Sequence, residues 1–224
     1  MTDVDPIETV VEQTINALRS GIRDGRYAPG QRLVVADITK SLGVSAGTVR
    51  EAIRRLTGDG LVEITPNRGA AIRQLTGKDV REIFLLREVV EGLAARLAAE
   101  RIGIGDYRRA LEACLVEMRE IVPDLERDYH AHNYNFHQLI YEMAGTGRIQ
   151  ETAAQLSLPL YQLRLHNLIG AAYRRVSAGE HELIAEAIFE GDGVRAERAM
   201  RNHVRNSGLA MLDAMETARM NGKA

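Results

Sequence analysis

Lysine is nearly absent from this chain. It occurs only at Lys40, Lys78 and Lys223, so the other 26 of the 29 basic residues are arginines. Tryptophan is missing altogether, and aromatic residues make up 4% of the sequence. That argues against a stacking platform for single-stranded nucleic acid. A single cysteine, Cys114, excludes an internal disulfide and a cysteine-built metal cluster, and it fits a reducing compartment. No stretch approaches the roughly 18 uninterrupted apolar residues of a membrane-spanning helix. The acidic stretch Met1 to Thr9 has no apolar signal core, so a cytoplasmic protein is expected.

What is present is ordinary for a soluble globular protein: 45% hydrophobic and 27% charged residues in a chain of 224. At about 150 residues per domain this suggests one or two domains. The 29 basic and 31 acidic residues give a formal net charge of −2, but the charge is unevenly placed. Residues 32–73 hold seven basic and four acidic residues, a net of +3, whereas residues 76–224 hold 19 and 22, a net of −3.

The pattern changes near residue 75. Before it, short helical segments are separated by turn residues. Ile7 to Arg26 places Val10, Val11, Ile15, Leu18 and Ile22 on one helical face. Asp37 is expected to cap a short helix ending at Leu42, and Ser45 a second one through Thr57 with Val49, Ile53 and Leu56 inward. Leu61 to Ile64 and Ala70 to Arg73 read as two strands around the turn Pro66-Asn67-Arg68-Gly69. Three helices followed by a hairpin is the layout of a winged helix-turn-helix. After residue 75 nearly everything has helical period. About six helices are expected, over Gly77–Arg101, Asp106–Ile121, Leu125–Ala144, Arg148–Gly170, Ala178–Glu190 and Val194–Met220. Thr76 would cap the first, with a core stripe of Ile83, Leu86, Val90, Leu93 and Leu97. The fold class is therefore mainly α: a winged helix-turn-helix over 1–75 and an all-helical antiparallel bundle over 76–224.

The second helix of the helix-turn-helix opens Ser45-Ala46-Gly47-Thr48-Val49-Arg50. Small and hydroxylated residues at a helix start suit close approach to a major groove, with the positive helix end toward phosphate. Arg50 and Arg54 lie one turn apart and can face the duplex together. The run "APGQRL … LGVSAGTVREAIRRLTGDGLVEITPNRGAAI" resembles the N-terminal domain of GntR-type transcriptional regulators over about residues 10–75. That resemblance implies DNA-facing positions at Ser45, Gly47, Thr48 and Arg50, with Arg54 at phosphate. It also implies a wing tip of Asn67, Arg68 and Gly69, with Arg68 in or near the minor groove. Arg32 is grouped with these as a DNA-binding residue. Many members carry arginine where this chain has Ala46, which cannot make a bidentate guanine contact.

In the second half the informative residues are histidines. Asn133 and His137 are four apart on one helix face, His181 is expected at the start of the fifth helix, and His203 falls mid-way along the sixth. Three imidazoles and an oxygen can bind a divalent first-row metal such as Zn2+, Ni2+ or Mn2+, although lone helical histidines are usually core or surface residues. The segments "LREVVEGLAARLAAE", "NYNFHQLIYEMAG" and "EHELIAEAIFEGDGVRAERAMRNHV" resemble the FCD domain of the FadR-type branch, in its shorter VanR-like subgroup. The resemblance implies a metal held by Asn133, His137, His181 and His203, where many members have Asp in place of Asn133. It further implies a small organic carboxylate effector anchored through open metal positions. Arg87 is the first candidate for a cation beside it and Arg164 a second. The alternative for Arg87 is an ion pair with Glu91 one turn on. His130, His132 and His166 read as surface or supporting residues, and Tyr134 and Tyr141 as packing.

Together these features point to a metabolite-responsive regulator, a repressor acting as a homodimer on double-stranded operator DNA. A metal-dependent, hydrolase-like enzyme is the alternative for the Asn/His3 set. No separate nucleophile or general base accompanies it: Glu182 adjoins His181 but points away along the helix. A non-specific architectural DNA binder fits poorly with the acidic second half.

Overall fold

A computed structural model describes residues 8–120, 126–157 and 171–220. The chain divides between Leu75 and Thr76 into two compact units.

The first unit contains α1 (Val10–Arg23), α2 (Val35–Leu42), α3 (Ala46–Gly58) and the hairpin β1 (Val62–Thr65) and β2 (Gly69–Ile72). Thr9 starts α1 with a capping box: its side chain accepts from the Glu12 amide, and Glu12 reaches back to the Thr9 backbone. Ile15, Leu18 and Ile22 then turn into the core with Leu33, Ile38, Val49, Ile53, Leu56, Leu61 and Ile72. Val10, expected on the same face, is 54% exposed, because the first helical residue lies beyond the edge of that core. Asp37 is not the cap of α2. Val34 occupies that position without a side-chain bond, and Asp37 sits in the first turn, where its charge still suits the positive helix end. α2 stops at Gly43, whose left-handed backbone (φ 67) glycine adopts without steric cost. Ser45 then caps α3, accepting from the Thr48 amide.

β1 and β2 pair antiparallel, Val62 opposite Ile72 and Thr65 opposite Gly69. Arg32 makes a further antiparallel bridge to Ala71, so the segment after α1 borders the wing. Pro66 followed by Asn67 at φ 63, with the Arg68 amide donating to the Thr65 carbonyl at 3.1 Å, has the pattern of a type II turn.

The second unit contains α4 (Gly77–Glu100), α5 (Tyr107–Glu120), α6 (Glu126–Met143), α7 (Gly147–Ser157), α8 (Ala171–Phe189) and α9 (Gly193–Met220). Thr76 and Asp79 form the capping box of α4. α4 packs most extensively on α9, and small residues are frequent among the buried ones of both helices. The buried residues of α4 include Val80, Phe84, Gly92, Ala94, Ala95, Ala98 and Ala99, and those of α9 include Ala196, Gly208, Ala214 and Ala218 beside Met200, Val204 and Met211. A Cβ on Gly208 would stand 2.9 Å from the Phe84 ring, too close for any side chain. This corrects the expected core stripe of α4: Leu86 and Leu93 are 57% and 43% exposed. Alanine and glycine let the two backbones come together, so Leu86 and Leu93 turn outward, while Ile83, Val90 and Leu97 of the expected stripe are half-buried. α8 also begins earlier than expected, at Ala171. Gly179 is no break; a long packed helix absorbs its cost of about 1 kcal/mol. His181 therefore stands within the helix rather than at its start.

Candidate metal centre and nucleic-acid interface

The bundle core collects three histidines from three helices: His137 of α6, His181 of α8 and His203 of α9. All are at most 5% exposed. His203 Nε2 lies 3.2 Å from His181 Nε2 and 3.3 Å from His137 Nε2. The donor atoms of the three fall within 4.8 Å of one another. Tetrahedral ligation at Zn–N distances of 2.0–2.1 Å places nitrogens about 3.3 Å apart, so the two spacings that His203 makes match what one ion requires. Phe136 covers the group, its ring centroid 4.3 Å from that of His181.

Two carboxylates back the histidines. Glu180 Oε2 lies 2.8 Å from His203 Nδ1, and the amide of Asn206 donates to Glu180 Oε1 at 2.5 Å. Glu91 of α4, fully buried, brings Oε2 to 2.8 Å from His137 Nδ1, at hydrogen-bond separation but off the ideal line of the ring N–H. Nε2 of His137 and Nε2 of His203 face one point, and the ring nitrogen that carries the proton decides whether each offers a lone pair there. Two lone pairs 3.3 Å apart repel unless a cation or a proton lies between them. Carboxylate, histidine and ion in line is the usual support of a histidine metal ligand. Burial, then the neighbouring His203 and His137, pushes the His181 pKa well below its ordinary value. His203 is lowered as well: burial outweighs the opposing pull of Glu180. Both effects favour neutral imidazole, the form that binds metal. For Glu180, burial is outweighed by its bonds to His203 and Asn206, and its pKa falls.

Asn133 stands half-buried one turn before His137. Arg87 donates from Nε to Glu91 Oε1 at 2.6 Å, so the ion-pair alternative is the arrangement observed; its guanidinium also lies over the Phe84 ring, 4.8 Å from the centroid. Burial opposes ionisation of Glu91, but Arg87 and His137 outweigh it and hold the carboxyl well below the usual range. Tyr141 is buried and Tyr134 exposed. His132 lies 3.4 Å from Glu117. Glu182 accepts from Arg119 at 2.7 Å, away from the three imidazoles. Arg164, His166 and the side chain of His130 lie outside the described residues. Glu180 and the link of Glu91 to His137 were missed by sequence reasoning. The available signals were a carboxylate directly before His181, and a lone acid on the otherwise small and apolar face of α4.

In the first unit, Ser45, Gly47, Arg50, Arg54, Asn67, Arg68, Gly69 and Arg32 are exposed and Thr48 is half-buried. The Ser45 and Thr48 hydroxyls lie 2.9 Å apart. Glu51 holds Arg54 through two bonds, Nε to Oε2 at 2.9 Å and Nη2 to Oε1 at 2.6 Å, and also accepts from Arg55 Nε at 3.2 Å. These two arginines lower the Glu51 pKa to about 2. The Arg32 guanidinium lies beside Gly69 of the wing, within 3.6 Å of where a Cβ would stand.

Comparison with known proteins agrees with both units. Residues 10–72 match the model of the bacterial regulatory proteins of the gntR family, and residues 82–206 match the FCD domain. The chain is 28% identical over 204 residues to the HTH-type transcriptional repressor RspR of Escherichia coli K12, covering 91% of this chain and 89% of that one. It is 31% identical over 209 residues to an HTH-type transcriptional regulator in an unstable DNA locus of Streptomyces ambofaciens, covering 90% and 83%. The solved structure of E. coli McbR/YncC superposes with a TM-score of 0.74 at 21% identity, over 93% of this chain and 99% of that chain. The chain belongs to the gntR family of DNA-binding transcriptional regulators and carries the FCD domain in its C-terminal part.

Proposed function

We propose that this protein is a repressor whose bundle binds one divalent metal ion and a small organic carboxylate, and that occupancy of this site alters operator binding. The observation that carries the reading is the convergence of three buried Nε2 atoms from α6, α8 and α9, two of them backed by carboxylates, in a chain that also has a winged helix-turn-helix. His137, His181 and His203 are the nitrogen ligands and Asn133 the oxygen ligand. Three side-chain nitrogens and one neutral oxygen leave positions for a carboxylate oxygen. Arg87, at the edge of the same core, is the cation beside it, and Arg164 is a second candidate. In the first unit Arg32, Ser45, Gly47, Thr48, Arg50, Arg54, Asn67, Arg68 and Gly69 form the DNA contact, with the start of α3 in the major groove and the wing beside it.

A homodimer on a near-palindromic operator agrees with this layout. The exposed stripe Leu85, Leu86, Val89 and Leu93 on α4 supports a second copy as its cover. The effector changes DNA affinity only through different affinities for the DNA-competent and DNA-incompetent states. Metal analysis of purified protein tests the reading directly: wild type retains about one ion per chain, and the His137→Ala/His203→Ala variant retains none. Equal metal in both would remove the site. A thermal-shift screen of small carboxylates on metal-loaded protein then identifies the effector, and Arg87→Ala weakens that response.

A further inference from the structure

Glu91 is an unusual residue to find where it lies. It is fully buried, and among the described residues no other carboxylate is buried. A lone carboxylate in such surroundings takes up a proton rather than carry its charge. A buried ion pair is seldom a net source of stability compared with an apolar pair of the same volume, so packing alone does not account for it. Its two oxygens have different tasks. Oε1 accepts from Arg87 Nε at 2.6 Å, and Oε2 stands 2.8 Å from His137 Nδ1.

We propose that Glu91 is a positioning residue that fixes the tautomer of His137. Held at Oε1 by Arg87, it presents Oε2 to the imidazole, keeps the proton on Nδ1, and leaves the Nε2 lone pair facing His181 and His203. The proposal deepens the metal-binding reading above and rests on it for its second readout only. A neutral imidazole carries one ring proton, on either Nδ1 or Nε2. On Nε2 that proton would occupy the place of the ion and remove His137 as a ligand. Glutamine is the discriminating replacement. Its single carbonyl oxygen can serve Arg87 or His137 but not both. If it serves Arg87, its amide N–H is turned toward His137 Nδ1 and draws the ring into the wrong tautomer.

The test uses the full chain. Long-range proton–nitrogen NMR on metal-free wild type reports the protonated nitrogen of each histidine. Chelator competition reports Zn2+ affinity, and thermal melting of the metal-free protein reports folding. The expected results are an Nδ1-protonated His137 in wild type, loss of that preference in Glu91→Gln, and Zn2+ binding weakened by about 10- to 100-fold. A wild-type His137 protonated at Nε2 overturns the proposal, as does a folded Glu91→Gln variant that binds Zn2+ as tightly as wild type. Should Glu91→Gln fail to fold, the wild-type tautomer decides. Should wild type bind no Zn2+, the metal reading falls, and the tautomer still decides the role of Glu91.

Discussion

The preference for arginine over lysine has a physical basis in the contacts these side chains make. Arg119 of α5 donates to Glu182 of α8 at 2.7 Å, and Arg195 bridges Glu186 and Glu190 at 2.7 and 2.5 Å. Arg19 joins α1 to Asp59 after α3 at 2.6 Å. A rigid fork with several donors spans two elements in one geometry, which a lysine cannot copy. These pairs are partly exposed and screened by solvent, so they define geometry more than stability. At the buried site the single residue matters more. Glu180→Gln replaces an anionic acceptor for His203 with a neutral one, and Zn2+ affinity is expected to fall about 10-fold in chelator competition. Unchanged affinity would show that the Glu180–His203 contact is incidental. On the DNA side, Arg50→Ala is expected to lower operator affinity by about 10-fold or more in a gel-shift titration while leaving metal content at the wild-type level.

The elements differ in how plainly the sequence announces them. The caps of α3 and α4 were readable because Ser45, and Thr76 with Asp79, act on the residues next to them. Ser45→Ala should cost about 1 kcal/mol, seen as a lower melting temperature and as weaker DNA binding, because the cap also ties Thr48. The wing was readable for the same reason, since Pro66-Asn67-Arg68-Gly69 dictates its own turn. The buried face of α4 was not. Leu86 and Leu93 look like core at helical spacing, yet which face of a helix goes inward depends on the partner, and here the face rich in alanine and glycine is the buried one. The His137 set was legible as residue types with a resemblance behind them. Its carboxylate backing was not, because Glu91 is 46 positions from His137 in the chain and only the fold brings them together.

Across the molecule the near-zero net charge resolves into a basic winged helix-turn-helix segment and an acidic helical segment. Phosphate contacts release counterions, so operator binding is expected to weaken steeply between about 50 and 200 mM salt, whereas Zn2+ affinity, set in a buried site, should change far less. A comparable salt slope for both would contradict this division. If the site holds a metal, a chelator lowers the melting temperature, and added ion raises it again by an amount that grows with the ion concentration. The contact of Gly208 with Phe84 has a consequence of another kind. A Cβ there would stand 2.9 Å from the ring, so a larger residue has to push α4 away from α9. Glu91 rides on α4 behind His137, and His203 rides on α9 five residues from Gly208. Gly208→Ala is therefore expected to draw the carboxylate of Glu91 back from the imidazoles, and its signature would be weaker Zn2+ binding in chelator competition by a protein that still folds.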